Sequence, residues 1–402
     1  MAATDTSSFP LVDLRAVSNS AHQWVAVHAW LAHADWHDGP ADPDSGVVVP
    51  GWQAVFDGGD LLTAIAPLDC IVHLDRPGLV DAVLMARLPP SRVVLAVERA
   101  ALDEEGALRQ LGNLQQAGYR ILIEGGGGPG APLPATLRGI AHDGAAPLAV
   151  PTPLVALFGP HLAHGVNTAA CFDACAKAGF AWFSGTYALH DGDGGRDPDD
   201  GTTARRLLKL LGLLLADADT RDIEIELKQD PSLSYQLLRL VNSAAFAPAT
   251  PIHDFAQAIV RLGRRQLLRW LQLLLFARPS ADGLANPLLP IAALRAAQIE
   301  SLCKQRGGGR EAQDLAFQVG VFSLLDVLLG MPMDAIVAAL MLPAETAGAL
   351  LERRGEVGRL LALVEAQAPP MSMLAALELT PRQWWHSQLH GFHWAIQVSR
   401  NL

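Results

Sequence analysis

The sequence predicts an α+β protein of two domains, a mixed β and α domain followed by an all-α helical bundle. Strand, helix and strand patterns alternate in the first half, which is typical of βαβ units on a parallel sheet. Residues 189–204 form a stretch rich in Gly, Asp and Pro without apolar periodicity, as in a linker. Apolar residues at helical spacing then dominate, so we predict domains over 1–195 and 196–402.

In the first domain, short apolar runs predict the strands. We expect strands over 25–31, 69–74, 93–97, 118–123, 147–150 and 180–183, and helices over 103–116 and 168–177.

In the second domain, helix caps and prolines punctuate the pattern. Asp230 is a candidate N-cap, and Pro231 stands where the first turn tolerates proline. An apolar stripe continues to Val241 and is interrupted by Asn242 and Ser243. A second helix is predicted to begin at Asp254 and to end at Gly263, a typical C-terminal glycine. A third helix follows, with an apolar stripe formed by Leu267, Leu271, Leu274 and Leu275. Later breaks are expected at 279–287, 307–309, 331–332 and 369–370.

Polar and glycine positions in this half resemble the HDOD domain of bacterial signalling proteins. The resemblance lies in DPSLSYQLLRLVNSA (230–244), AIVRLG (258–263) and Arg269-Trp270-Leu271, and 320–340 is similar to a subgroup with a preceding EAL-like domain. The resemblance implies structural or recognition roles for Asp230, Pro231, Asn242, Ser243, Gly263, Arg264, Arg265 and Trp270. We expect Asn242 to pin a helix corner, and Arg264 and Arg265 to lie on the surface.

The first half is similar to an EAL domain, a β/α barrel whose intact members hydrolyse cyclic di-GMP with carboxylate-bound metals. The segment AGFAWFSGTY (178–187) resembles the final-strand region of that family, and the strand ending at Glu124 resembles an earlier one. A complete barrel of this class takes roughly 250 residues. Because fewer precede the linker, we predict a degenerate, incomplete barrel.

The same resemblance predicts that the catalytic residues are lost. The metal-binding glutamate of the signature falls at Ala29, the asparagine ligand at His73, and the paired aspartates at Glu124-Gly125. Two later glutamates fall in the segment His164 to Asn167, a glutamine falls at Ser184, and Glu98 keeps its carboxylate. Hydrolysis by two metal ions needs several carboxylates. We therefore predict no enzymatic activity, with no catalytic, cofactor-binding or metal-binding residues and no cofactor.

Composition favours a cytoplasmic protein. The net charge of −11 argues against a general nucleic-acid binder. No window is apolar and long enough for a membrane span, and the first residues do not resemble a secretory signal. Four cysteines without a metal-binding or redox spacing fit reduced thiols.

Other polar clusters have two interpretations each. His253-Asp254 is a metal-binding pair or a helix start. His386, His390 and His393 form a metal-binding face or a solvated helix edge, and the glycines at 125–130 a phosphate cradle or a loop remnant. The basic residues Arg239, Arg261, Arg264, Arg265 and Arg269 form either a recognition patch or a solvated face. We favour the second interpretation in each case.

These observations predict a non-catalytic signal-transduction protein that acts by protein–protein recognition in regulation related to cyclic di-GMP. The alternatives are a sensor that binds cyclic di-GMP and a weakly active cyclic di-GMP phosphodiesterase. Other signalling proteins are the expected partners, without membrane or nucleic acid, and assembly into a homo-oligomer is left open.

Overall fold

The computed structural model describes residues 9–32, 48–57, 59–74, 82–125, 139–147, 159–190, 263–277, 284–366 and 368–401, together with 206, 209–213, 215–216, 218–229, 235, 237–239, 241–242, 252 and 257. The chain divides into two compact units. One comprises Met1–Asp191 with Gln367–Leu389, and the other comprises Gly192–Ala366 with His390–Leu402.

The first unit is a closed barrel whose described strands pair in chain order. The strands are β1 (Leu11–Ser18), β2 (Trp24–Ala32), β3 (Asp69–Leu74), β4 (Val93–Glu98), β5 (Arg120–Glu124), β6 (Gly139–Asp143), β7 (Leu162–His164) and β8 (Trp182–Phe183). Strand β1 pairs antiparallel with β2 and with β8, and the other pairs are parallel.

Short helices accompany the barrel strands. They are α1 (Val48–Phe56), α2 (Asp60–Ala64), α3 (Ala82–Arg87), α4 (Ala107–Gln116), α5 (Ala169–Ala178) and α6 (Tyr187–His190), with a 3-10 turn at Arg99–Asp103. The sheet closes although the sequence predicts an incomplete barrel. The small size of the domain is accommodated by short elements, such as the two residues of β8, rather than by an open sheet.

Side-chain alternation along the strands fills the barrel interior. One buried cluster takes residues from every strand: Val17, Ala26, Ile71, Val94, Ala96, Leu122, Ala141, Leu162 and Trp182. Side chains alternate between the two faces of a strand, so every second residue counted from a member of this cluster is also interior. On β2, for example, Ala26 is interior, so His28 and Trp30 are interior and Ala29 faces outward.

The second unit is helical in the residues described. Its helices are α7 (Thr220–Lys228), α8 (Arg264–Leu274), α9 (Leu288–Gln305), α10 (Arg310–Phe322), α11 (Leu325–Leu329), α12 (Met333–Ala339), α13 (Ala344–Glu352) and α14 (Gly355–Glu365). Helix α15 (Met371–Ala376) belongs to the barrel unit, and α16 (Pro381–Asn401) contributes to both units. The described residues of the predicted breaks, 284–287, 307–309, 331–332 and 369–370, each fall between helices.

The stretch Arg310–Leu329, which covers α10 and α11, is long and apolar enough to cross a membrane by length and composition, with mean hydropathy 1.4. Half of its most apolar window is buried inside the fold, a burial that also suits a core helix. This stretch is therefore weak evidence for a membrane span.

Helix α16 returns to the first strand of the barrel. The backbone N–H of Leu14 donates to Gln388 Oε1 at 3.1 Å, and Gln388 Nε2 donates to the Val12 carbonyl at 2.9 Å. Gln388 is buried, and its side-chain amide thus satisfies a backbone donor and a backbone acceptor of β1. The barrel unit therefore includes residues beyond the predicted domain boundary at 195, which itself stays a prediction.

Candidate functional site

Polar side chains collect at one end of the barrel interior, where the parallel strands end. We call this end the barrel mouth and define it by Arg15, His28, Trp30, His73, Glu98, Glu124 and His164. Each of the seven lies an even number of residues from an interior residue of its own strand, so its side chain is on the interior face. In β/α barrels the carboxyl ends of the strands are the usual place for a functional site.

Glu124 lies at the centre of the charged contacts in the mouth. Its Oε1 atom is 3.6 Å from His73 Nδ1 and 3.8 Å from His164 Nε2. Both separations exceed a normal hydrogen bond, so the attraction is mainly electrostatic. Burial acts to raise the pKa of Glu124, but the interaction with His73 and the charges of His73 and His164 outweigh burial and lower the pKa overall. Glu124 is therefore ionised at neutral pH.

His28 is the most buried of the mouth histidines. It is fully buried, and neither ring nitrogen has a hydrogen-bond partner among the residues that the structure describes. Its ring stacks on Trp30, with centroids 3.4 Å apart. Burial, followed by the positive charges of His73, His164 and Arg15, lowers its pKa well below the ordinary value, so the ring is neutral.

His28, His73 and Glu124 can converge on one point. Each offers one nitrogen or oxygen atom, and these atoms lie within 4.8 Å of one another. Glu98 is more peripheral, because its side chain is 57% exposed and its Oε1 is 3.9 Å from His73 Nε2. The chemistry of this arrangement is that of a nitrogen-rich ligand set with one central carboxylate.

The structure changes one position of the sequence-based assignment. The expected site of the lost glutamate, Ala29, faces away from the interior, and the residue that enters the mouth is His28. His73, Glu98, Glu124 and His164 do meet at the mouth. Ser184 is buried and follows β8, while the exposed Asn167 accepts hydrogen bonds from Thr186. The strand alternation VAVHAWL could have identified His28, since Ala26 and His28 share a face.

In the helical unit, Asn242 holds a chain corner. Its Nδ2 atom donates to the carbonyls of Leu238 and Ile252, both at 2.8 Å, and its Oδ1 atom accepts from the Ile252 N–H at 2.7 Å. Such contacts are those of a structural clamp. Asp230, Pro231, Ser243, the pair His253-Asp254 and the side chain of Arg264 lie outside the described residues.

The remaining motif residues have packing roles. Gly263 precedes α8 with φ +72°, a left-handed conformation that favours glycine. Trp270 is buried and packs on Trp394. Arg265 pairs with Asp314, and Arg269 pairs with Glu300 and Asp314. These ion pairs leave less of the predicted basic cluster available for a partner than the sequence suggests.

A groove of about 560 Å³ opens beside the Asn242 clamp. Its lining residues are Tyr235, Leu238, Arg239, Asn242, Ile252, Arg400 and Asn401. Tyr235, Arg239 and Arg400 are exposed, so the groove combines an aromatic ring with two positive charges. The histidines His386, His390 and His393 are exposed on α16, as expected for a helix edge.

Residues 201–279 match the model of the HDOD domain family. The chain carries an HDOD domain. This match covers the Asn242 clamp and helix α8. The HDOD match follows the eight-stranded barrel along the chain, in the order that the sequence predicts.

Curated relatives match a limited part of the chain. The chain is 34% identical over 143 residues to the cyclic di-GMP phosphodiesterase CdgJ of Vibrio cholerae. The matched segment covers 36% of this chain and 33% of that protein. It is 32% identical over 141 residues to the uncharacterized protein YuxH of Bacillus subtilis, covering 35% and 34% respectively. The chain thus matches about a third of the length of these relatives.

Among solved structures, the PaMucR phosphodiesterase in complex with c-di-GMP is similar at 18% identity. The match covers 44% of this chain and 94% of that one, with a TM-score of 0.35. The barrel architecture itself rests on the strand pairing described above.

Proposed function

We propose that this chain is a non-catalytic signalling protein in regulation related to cyclic di-GMP, and that it acts by recognising another protein. The HDOD match and the identity to a cyclic di-GMP phosphodiesterase of Vibrio cholerae support the signalling context. The protein has a cytoplasmic role in this proposal. Its net charge of −11 favours a protein partner over nucleic acid.

The composition of the barrel mouth carries the non-catalytic part of the proposal. Hydrolysis of a phosphodiester by two metal ions needs several carboxylates to hold the ions and to orient water. At the described strand ends, Glu124 and the exposed Glu98 lie among three imidazoles. The interior faces of β1 and β6 add two further carboxylates, but Asp13 pairs with Arg15 and Asp143 accepts a hydrogen bond from the Ala145 N–H. The carboxylate-bound metals that the EAL resemblance implies do not fit this set.

A turnover assay tests this proposal. Purified protein is incubated with cyclic di-GMP and Mg²⁺ or Mn²⁺, and linear and mononucleotide products are separated by chromatography. We expect no product above the buffer control. Turnover that disappears in both Glu124→Gln and Glu98→Ala would show that the mouth is an active site after all.

A second candidate is a cyclic di-GMP sensor, favoured by one feature of the mouth. The Arg15 guanidinium lies 4.8 Å from the centre of the Trp30 ring, a stack that can extend to a purine or a phosphate. Calorimetry with cyclic di-GMP in the presence of EDTA tests this candidate. Saturable binding that Trp30→Ala removes would favour the sensor over the recognition protein.

The groove beside Asn242 supports protein recognition. Exposed Tyr235, Arg239 and Arg400 together suit an acidic partner surface with an apolar anchor. In a lysate of the source bacterium, the wild-type protein should capture a partner that can be cross-linked to it. Replacing both Arg239 and Arg400 with glutamate should abolish this capture. The matched control is Arg359→Glu on α14, an exposed arginine that does not line the groove. Equal loss in both variants would remove the groove from the proposal.

A further inference from the structure

We propose that the barrel mouth binds one transition-metal ion of the Zn²⁺ class through His28, His73 and Glu124. This inference goes beyond the proposed function, which needs no metal. It assigns to the mouth a ligand set other than the carboxylates of the EAL resemblance.

The burial of His28 is the first observation. An imidazole without a hydrogen-bond partner in an apolar interior costs free energy. His28 is fully buried, and both of its ring nitrogens lack a partner among the described residues. Its neighbours are ligand-type groups, since one atom each of His28, His73 and Glu124 lie within 4.8 Å of one another. A bound cation would give the His28 nitrogen the partner that the described residues do not provide.

The distances are close to those of a metal site. Two ligand atoms of a tetrahedral zinc ion are separated by roughly 3.3 Å. His73 Nδ1 and Glu124 Oε1 are 3.6 Å apart. Small side-chain rotations would therefore bring the three ligand atoms together.

The ligand types indicate the class of metal and the number of ions. Imidazole nitrogen suits Zn²⁺, Cu²⁺, Ni²⁺ and Fe²⁺, whereas Mg²⁺ prefers oxygen ligands in octahedral geometry. With Glu124 as the central carboxylate, the three groups suffice for one ion with an open fourth position. His164 lies 3.8 Å from the same Glu124 oxygen, so we assign it as a positioning residue for that carboxylate.

Calorimetric titration tests the site with the full-length, untagged protein after treatment with a chelator. Zn²⁺ is the titrant, and Mg²⁺ is titrated separately for comparison. We expect one Zn²⁺ per chain and no heat of saturable binding for Mg²⁺. Replacement of a ligand in His28→Gln, His73→Gln or Glu124→Gln should weaken Zn²⁺ binding at least about tenfold, which is the loss seen even for residues that only orient a ligand.

Two controls locate the ion. His142 lies on β6 near the mouth but packs on Phe180 outside the interior, so His142→Gln should retain the affinity within about twofold. A second control replaces His386, His390 and His393 on α16 with glutamine and should also bind as wild type does. Visible absorption of bound Co²⁺ then reports the coordination: its spectrum should change in Glu124→Gln, a variant of the same shape whose fold is checked by circular dichroism.

Several outcomes would overturn the site. They are no saturable Zn²⁺ binding by wild type, unchanged binding in a folded Glu124→Gln variant, or loss of binding in the α16 triple variant. These results are separable from the proposed function. Turnover of cyclic di-GMP in the presence of Zn²⁺ would contradict the non-catalytic proposal and leave the site standing, whereas failure to bind Zn²⁺ would remove the site alone.

Discussion

The barrel mouth and the helical unit differ in whether their buried polar side chains have hydrogen-bond partners. In the helical unit, Arg269 is 14% exposed, and its two terminal nitrogens reach Glu300 and Asp314 while the guanidinium lies over Phe317. In the mouth, buried His28 lies near other ligand-type groups and has no hydrogen-bond partner among the described residues. Removing one partner of a buried, paired group destabilises a fold, whereas a buried polar group that lacks partners points to a ligand.

The largest effect should come from breaking the network of the helical unit. Arg269→Ala removes the guanidinium that pairs with Glu300, while Asp314 keeps Arg265, and should cost about 3 kcal/mol, at the lower end for a buried ion pair. Denaturant unfolding measures the change. Arg306→Ala is the control, because its pair with the half-exposed Glu356 should contribute less than about 1 kcal/mol. Equal losses in the two variants would contradict the distinction between buried and exposed pairs.

Asp13 provides a test inside the barrel unit. Burial raises its pKa to about 6, and the charge and hydrogen bond of Arg15 offset burial only in part. Because the folded pKa lies above the unfolded value of 3.8, the native state holds the proton more tightly and stability falls as pH rises from about 4 to about 6. Asp13→Asn removes this loss and should raise the free energy of unfolding at pH 7 by about 1–3 kcal/mol.

The measurement is denaturant unfolding of wild type and Asp13→Asn at several pH values. The difference between the two proteins should grow between pH 4 and 6 and then stay constant. A difference that is the same at pH 4 and pH 7 would mean that Asp13 does not titrate in this range.

The Asn242 clamp should show an intermediate effect. Asn242→Ala removes three hydrogen bonds that join Leu238 and Ile252, and we expect a loss of about 1–2 kcal/mol. Thermal melting followed by circular dichroism measures it, and any loss of partner binding should follow the loss of folding. Asn401→Ala, in the same groove, is the matched control and should melt as wild type does.

The smallest effect should come from His28 in the metal-free protein. His28→Leu replaces a buried imidazole, which has no hydrogen-bond partner in the described part of the chain, by an apolar side chain. The free energy of unfolding should therefore change by less than about 1 kcal/mol or increase. The measurement is denaturant unfolding in the presence of EDTA. A large destabilisation would show that His28 belongs to the structural core, as Arg269 does, and would erase the contrast between the two regions.

Local patterns predicted several mainly apolar strands and the helix ends marked by proline or glycine. Strand β3 occupies the predicted residues 69–74, and α9 begins directly after the predicted break. Strand β1 was not predicted, because Asp13 and Arg15 interrupt its apolar pattern. Those charged residues are explained by the polar mouth that they face, which is a tertiary feature.

The site was only partly predictable for a similar reason. The resemblance identified His73, Glu98, Glu124 and His164 as altered positions, but their convergence depends on barrel closure. His28 was not identified because the resemblance puts the signature glutamate at Ala29, whereas strand alternation puts His28 on the interior face with Ala26. The pairing of Arg265 with Asp314 joins residues 49 positions apart, a contact that no local pattern encodes.

The two hydrogen bonds between Gln388 and β1 have a consequence for synthesis of the chain. The backbone N–H of Leu14 can bond to Gln388 only after 374 further residues have been synthesised. At ribosomal speeds of about 5–20 residues per second, that delay is roughly 20–75 s. During this time β1 lacks its two hydrogen bonds to Gln388, because the helical residues between β1 and Gln388 are synthesised first. Helix α16 therefore completes the hydrogen bonding of β1 only late in synthesis. On a ribosome stalled before residue 388, the barrel should be more accessible to chaperones and proteases than in the finished protein.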